Sequence, residues 1–167
     1  MLSSHPRAAV KPDTDKAAYA AEVYALLSLH AGRNNLPVNF LTRLIWKESI
    51  FDAQAVSPVG AEGIAQFMPG TAKLRGLKNS FDHREALAAA ADYLAFLTEK
   101  FGNLGLAAAA YNFGEDGTSA WLQNRRTLPA ETEDYVLAIT GHAAAEWRAP
   151  KTVLDIPGLG GSGSFTE

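Results

Sequence analysis

The sequence predicts an all-α fold with one core, and three observations carry the prediction. Apolar residues recur at steps of three and four in segment after segment. Alanine makes up much of the 47% hydrophobic share, and alanine favours helix and close helix packing. Helix start and stop signals bracket the periodic segments. A chain of 167 residues is large enough for a real core and reads as one domain with tails. The expected division is a flexible leader over 1–15, the domain over 16–149, and a flexible Gly/Ser-rich tail over 150–167.

Each element has its own justification. Asp13 and Asp15 supply start signals, and a first helix runs on to Arg33 with Tyr19, Val23, Leu26 and Leu27 inward. Gly32, Asn34 and Asn35 break it. Pro37 opens a second helix, where its missing N–H costs little. From Asp52 to Gly63 small residues, Pro58, Gly60 and Gly63 predict a loop with at most a minimal hairpin. A short helix is expected over Gly63–Met68, and another over Thr71–Leu77 after Pro69. Asp82 followed by Glu85 reads as a capping-box-like start for a helix to about Lys100, with Leu87, Ala90, Ala91, Leu94 and Leu97 inward. Leu104–Tyr111 reads as a buried apolar helix, Thr118–Asn124 as a short one, and Thr132–Trp147 as the last.

Composition excludes several functions. A net charge of −3 leaves no electrostatic footprint for nucleic acid. The absence of cysteine excludes a disulfide scaffold and thiolate metal sites but leaves the compartment open. His5, His30, His83 and His142 have no metal-ligand spacing, so no metal or cofactor is expected. No apolar run reaches the ~20 residues of a membrane span. The first residues hold no continuous apolar stretch and do not read as a signal peptide.

One residue breaks the pattern. Leu41, Leu44, Ile45 and Glu48 share one face of the second helix, so a carboxylate sits on an apolar stripe. Desolvation and the negative end of the helix dipole would both raise its pKa. An acid still protonated near neutral pH can give a proton to a leaving group. The plainer alternative is a carboxylate that reaches the rim or caps the next loop.

The residues that follow Glu48 bear on that choice. Glu48-Ser49, Phe51-Asp52, Ser57-Pro58-Val59-Gly60-Ala61, Gly63, Gln66 and Met68-Pro69-Gly70-Thr71 resemble the active-site segment of the soluble lytic transglycosylases. Ala109-Ala110-Tyr111-Asn112 with Gly114 resembles a second segment of that family. Leu128-Pro129, Glu131-Thr132 and Tyr135-Val136 resemble a third. Glu115-Asp116-Gly117 departs from the family, which commonly has a Pro-containing turn there.

The resemblance implies a lysozyme-like helical domain acting on peptidoglycan glycan strands. It implies Glu48 as general acid and base, and a 1,6-anhydro product. It further implies Ser57, Gln66, Met68, Tyr111, Asn112, Glu131 and Tyr135 as substrate-binding residues. Ser57, Gln66 and Asn112 would meet acetamides or hydroxyls, Tyr111 would hold the Glu48 carboxyl, and Met68 would form an apolar wall. The expected place of action is the cell envelope, periplasmic or outside, in the service of a secretion, conjugation or division machine. Two rivals stand beside it. One is a hydrolytic muramidase using Asp52, Glu62, Glu115 or Glu131 as helper, and the other is a non-catalytic wall-binding assembly factor.

Overall fold

A computed structural model describes residues 12–159, with side chains from Asp15 onward. Seven α-helices and one 3-10 turn follow in order: α1 Pro12–Arg33, α2 Val38–Ser49, α3 Pro69–Leu74, α4 His83–Phe101, α5 Leu104–Phe113, α6 Glu115–Leu122, α7 Ala130–Thr140 and η1 Ala144–Trp147. The all-α prediction holds, and no strand is longer than an isolated bridge among the described residues.

Helix α5 is the central post. Gly105 through Ala110 are buried, and α4, α6, α7 and η1 all pack on it. Its small residues permit close approach. A β-carbon built on Gly105 would lie 2.0 Å from the Trp147 ring, so only glycine admits that indole. Asn103 fixes both sides of this junction. Its Oδ1 accepts from Leu106 N (2.8 Å), capping α5, while its Nδ2 donates to Trp147 O at 2.8 Å. Asp82 caps α4 in the same manner, accepting from the backbone of Arg84 and Glu85.

Three expected elements take other forms. Gly63–Met68 is not a helix. Glu62 and Phe67 exchange backbone hydrogen bonds across a tight turn, and Gln66 sits at φ 53°. Gly63, at φ +78°, lies against the Ser80 carbonyl, which a β-carbon would meet at 1.8 Å. The last helix does not reach Trp147. It stops at Gly141 in the left-handed region, and the chain turns so that Trp147 Nε1 donates to Thr140 Oγ1 (3.2 Å). Helix α6 begins at Glu115 rather than Thr118, because Gly114 turns the chain directly from α5 into it.

The tail boundary also moves. Most of the expected leader (1–11) and the chain from 160 lie outside the described residues, yet α1 already starts at Pro12. Residues 152–158, expected to be loose, dock on α2. Asn39 Nδ2 donates to Ile156 O (3.0 Å) and Pro157 O (2.8 Å), and Arg43 donates to Pro157 and Gly158. Leu154 and Ile156 pack on the core, so this stretch belongs to the domain. The apolar anchors hidden among its glycines and prolines explain the difference.

Candidate active site

The site forms where the C-terminal end of α2 meets α7 and α5. Leu41, Leu44 and Ile45 are buried, which commits that face of α2 to the core and carries Glu48 to its edge. Ser49 then ties the helix end to the following loop, its Oγ donating to Ile64 O at 2.6 Å. Ile50 and Phe51 follow at φ 50° and 63°. Consecutive left-handed residues with these side chains, one of them β-branched, are strained. Tyr19 holds the turn by donating from its hydroxyl to Phe51 O (2.7 Å), and the Phe51 ring meets Tyr24 and Trp46 edge-on.

Among the described residues Glu48 has one short polar contact. Tyr135 Oη donates to Glu48 Oε1 at 2.6 Å. No ion pair involves this carboxylate among the described residues. Burial raises its pKa to about 7. The Tyr135 hydrogen bond opposes the rise, Glu131 adds to it, and Lys47 offsets a little. Tyr135 itself is pushed well above the ordinary phenol range, chiefly by burial and then by Glu48, so it keeps its proton and remains the donor.

The phenol that meets the Glu48 carboxyl is Tyr135, which is expected only as a substrate-binding residue. The family resemblance puts Tyr111 on the Glu48 carboxyl, but the Tyr111 hydroxyl donates to Ala65 O (2.7 Å). That bond pins the 50–68 loop to the end of α5. Tyr111 still lies close enough for the Glu48 charge to help raise its pKa, after burial.

The remaining expected residues divide into committed and free atoms. Ser57 Oγ accepts from Ala61 N (3.0 Å), which leaves its O–H to donate outward. Gln66 spends both Nε2 hydrogens inside the loop, on Ala55 O (3.1 Å) and Gly63 O (2.8 Å), and keeps Oε1 as an acceptor. Asn112 Oδ1 accepts from Thr132 Oγ1 (2.8 Å), so its Nδ2 is the group left to donate. Met68 is 43% exposed at the start of α3, and Glu131 is exposed in the first turn of α7. Thus hydrogen bonds join Glu48 to Tyr135 and Asn112 to α7, while Ser57 and Gln66 first shape their own loop. Sequence reasoning does not single out Ser49, Tyr19 and Thr132 as supports. Two of them adjoin Glu48 and Glu131 in the quoted segments, which is the available signal. No group of His, Asp and Glu able to hold a metal occurs among the described residues.

Glu48 thus stands near the end of α2 as an acid held by a phenol from α7. The family model of the transglycosylase SLT domain matches residues 27–133, more than half of the chain, and the chain belongs to that family. A transglycosylase of Enterobacteria phage PRD1 is 23% identical over 74% of this chain and 46% of its own length. The soluble lytic murein transglycosylase of Escherichia coli K12 is 28% identical over 59% of this chain and 17% of its own. Among solved structures, an inactive glutamate-to-glutamine mutant of the lytic transglycosylase Slt from Pseudomonas aeruginosa superposes with a TM-score of 0.62 at 30% identity, covering 69% of this chain and 22% of that one. The chain therefore spans about half of the phage relative and about a fifth of the other two.

Proposed function

We propose that this domain is a peptidoglycan lytic transglycosylase that cleaves the β-1,4 bond from N-acetylmuramic acid to N-acetylglucosamine. The observation that carries the reading is Glu48, a half-buried acid with a pKa of about 7 and no ion pair among the described residues. Glu48 supplies the proton. Because Tyr135 occupies Oε1, the acidic hydrogen belongs on Oε2, the oxygen free to face substrate. The C1–O4 bond breaks, its electron pair stays on O4, and O4 takes the Glu48 proton. The acetamido oxygen of the muramic sugar supports the positive charge at C1. Glu48, now a carboxylate stabilised by Tyr135, removes the proton of the C6 hydroxyl as O6 bonds to C1. The acid is regenerated and no water is consumed. A nucleophile within the same sugar has a large effective concentration, which favours it over bulk water.

The other expected residues take roles that their free atoms permit. The Ser57 hydroxyl and Asn112 Nδ2 donate to sugar hydroxyls or acetamide oxygens, and Gln66 Oε1 accepts. Met68 provides an apolar wall, Tyr111 fixes the loop beside the reacting centre, and Glu131 orients a sugar hydroxyl. The domain would act in the periplasm or outside the cell, and a link to a secretion, conjugation or division machine belongs to the same proposal. No described helix is long and apolar enough to cross a membrane.

One observation favours a second reading, a hydrolytic muramidase. Glu131 lies near enough to raise the Glu48 pKa, so it is the acid that could activate water. Asp52 and Glu115 are engaged elsewhere, with Gln54 N and with Lys100 and Tyr93. Mass spectrometry of a peptidoglycan digest decides between the two. Transglycosylation yields 1,6-anhydro ends one water lighter than hydrolysis products. A digest dominated by reducing muramic ends makes the domain a muramidase, and no digestion at all leaves the wall-binding alternative.

A further inference from the structure

A hollow of about 640 Å³ is lined by Trp121, Asn124, Arg125, Arg126, Thr127 and Arg148, and Glu48 is not part of its lining. It holds three arginines in a chain whose net charge is −3. None of the three is in a salt bridge among the described residues. Their contacts position them without neutralising them. Arg148 lies 4.7 Å from the centre of the Trp121 ring and donates to Leu122 O (3.2 Å) and Asn124 Oδ1 (3.0 Å) through one nitrogen. Arg125 is held by Gln123 Oε1 through Nε (2.9 Å) and a terminal nitrogen (2.6 Å). Arg126 stacks 4.7 Å above the Phe113 ring. Each guanidinium keeps N–H groups for another acceptor.

The hollow is linked to the Glu48 site. Phe113, beneath Arg126, follows Asn112, which Thr132 joins to α7. Thr132 stands three residues, or about 4.5 Å of helix rise, before Tyr135. We infer that this arginine-lined hollow binds carboxylates of the peptide stems that hang from the glycan strand. The inference rests on the peptidoglycan reading above. The wall's amino sugars are neutral where their lactyl carboxyls are tied up in amide bonds to the stems, so the stems are the source of anions beside a strand at Glu48. A guanidinium fork matches a planar carboxylate better than an ammonium does.

The test uses the Glu48→Gln protein, which should bind wall without cutting it, in pelleting assays. Two substrates are compared, intact peptidoglycan and the same glycan stripped of stems by an amidase, with its freed lactyl carboxylates capped as neutral amides. Arg125 and Arg126 are exposed, so the Arg125→Gln/Arg126→Gln pair should melt as the parent does. Intact wall should be bound roughly tenfold more tightly than stripped glycan, since two exposed charge pairs together reach about that factor. The pair of Gln substitutions should erase the difference and flatten the salt dependence, and an Arg→Lys pair should restore part of it. Equal binding of intact and stripped wall overturns the inference. So does a preference for intact wall that survives the Gln pair, or an arginine-dependent binding that stem removal does not touch. Lysis by the wild-type domain is scored separately. A protein that binds stems through these arginines but never cuts would refute the enzyme reading and keep the site. One that cuts intact wall with no arginine dependence of binding would do the reverse.

Discussion

The domain contains the same pair of groups twice, in opposite states. Glu48 takes a hydrogen bond from Tyr135 at 2.6 Å, and Glu115 takes one from Tyr93 at 3.2 Å. Lys100 Nζ stands 2.8 Å from the other Glu115 oxygen, whereas no ion pair reaches Glu48 among the described residues. At Glu48, burial lifts the carboxyl to about 7. At the second pair it is the phenol that moves, Tyr93 rising to about 12 through burial and then through Glu115. A carboxylate–phenol contact is therefore neither catalytic nor structural in itself. What separates the two is burial first, which lifts Glu48, and then the cation that Lys100 brings to Glu115.

The largest test of this contrast is the isosteric exchange at each acid. Glu48→Gln should lower lysis by ~10²–10⁴-fold or more, because an amide cannot donate the proton, while the melting profile stays cooperative. Glu115→Gln should leave the rate within a few-fold of wild type. Turbidity loss of a peptidoglycan suspension measures both. Comparable losses at the two positions would end the argument that the unpaired acid is the working one.

Tyr135→Phe comes next. The phenol stabilises the charged form of Glu48, so its removal should move the alkaline limb of activity above pH 7. The rate should also fall by about ten- to a hundredfold, as a hydrogen bond to a charged group is worth ~1.5–3 kcal/mol. A limb that moves down would mean that Tyr135 favours the neutral acid.

Stability against pH offers a smaller effect with a definite sign. The Glu48 pKa rises from the ordinary 4.5 of a solvated glutamate to about 7 in the fold. Between those values the folded chain holds more protons than the unfolded one, so this group's contribution is whole below pH 4.5 and is lost as pH rises through 7. Glu48→Gln, which never charges, should gain on wild type across that window and level off at about 3 kcal/mol above it. Urea denaturation at a series of pH values would show it. A constant difference between the two proteins would contradict the buried-acid account.

Much of this is legible in the sequence. The step of three and four that runs Leu41, Leu44 and Ile45 into Glu48 places the acid on its face, because helical periodicity is local. The roles of the phenols are not legible. Tyr111 and Tyr135 both stand near Glu48, and which one touches it depends on how α5 and α7 pack. The turn at Gly63–Met68 reads as helix because Gly63 and Gln66 owe their left-handed backbones to distant partners, the Ser80 carbonyl and the hydrogen bonds of the 55–67 hairpin. The docking of 152–158 escapes sequence reading for a related reason. Leu154 and Ile156 are only two apolar anchors, and Asn39 and Arg43, which hold the carbonyls of Ile156, Pro157 and Gly158, lie more than a hundred residues earlier.

The smallest test turns the second pair toward the first. Lys100→Met removes the cation from Glu115 while keeping a side chain that can lie along the same surface. The ion pair is partly exposed, so its loss should cost no more than about 1 kcal/mol of stability. Its removal leaves the Tyr93 hydroxyl as the side-chain donor to the Glu115 carboxylate. Thermal melting should register that small loss, while the Glu48 titration and the lysis rate stay put. The loss should be small because this acid begins α6 in contact with solvent, where the helix N-terminus also stabilises a carboxylate. A marked fall in lysis on this exchange would show that the Glu115 pair takes part in the working site. An unchanged rate leaves the difference between the two acids with the burial of Glu48 and with the opposite helix ends on which they sit.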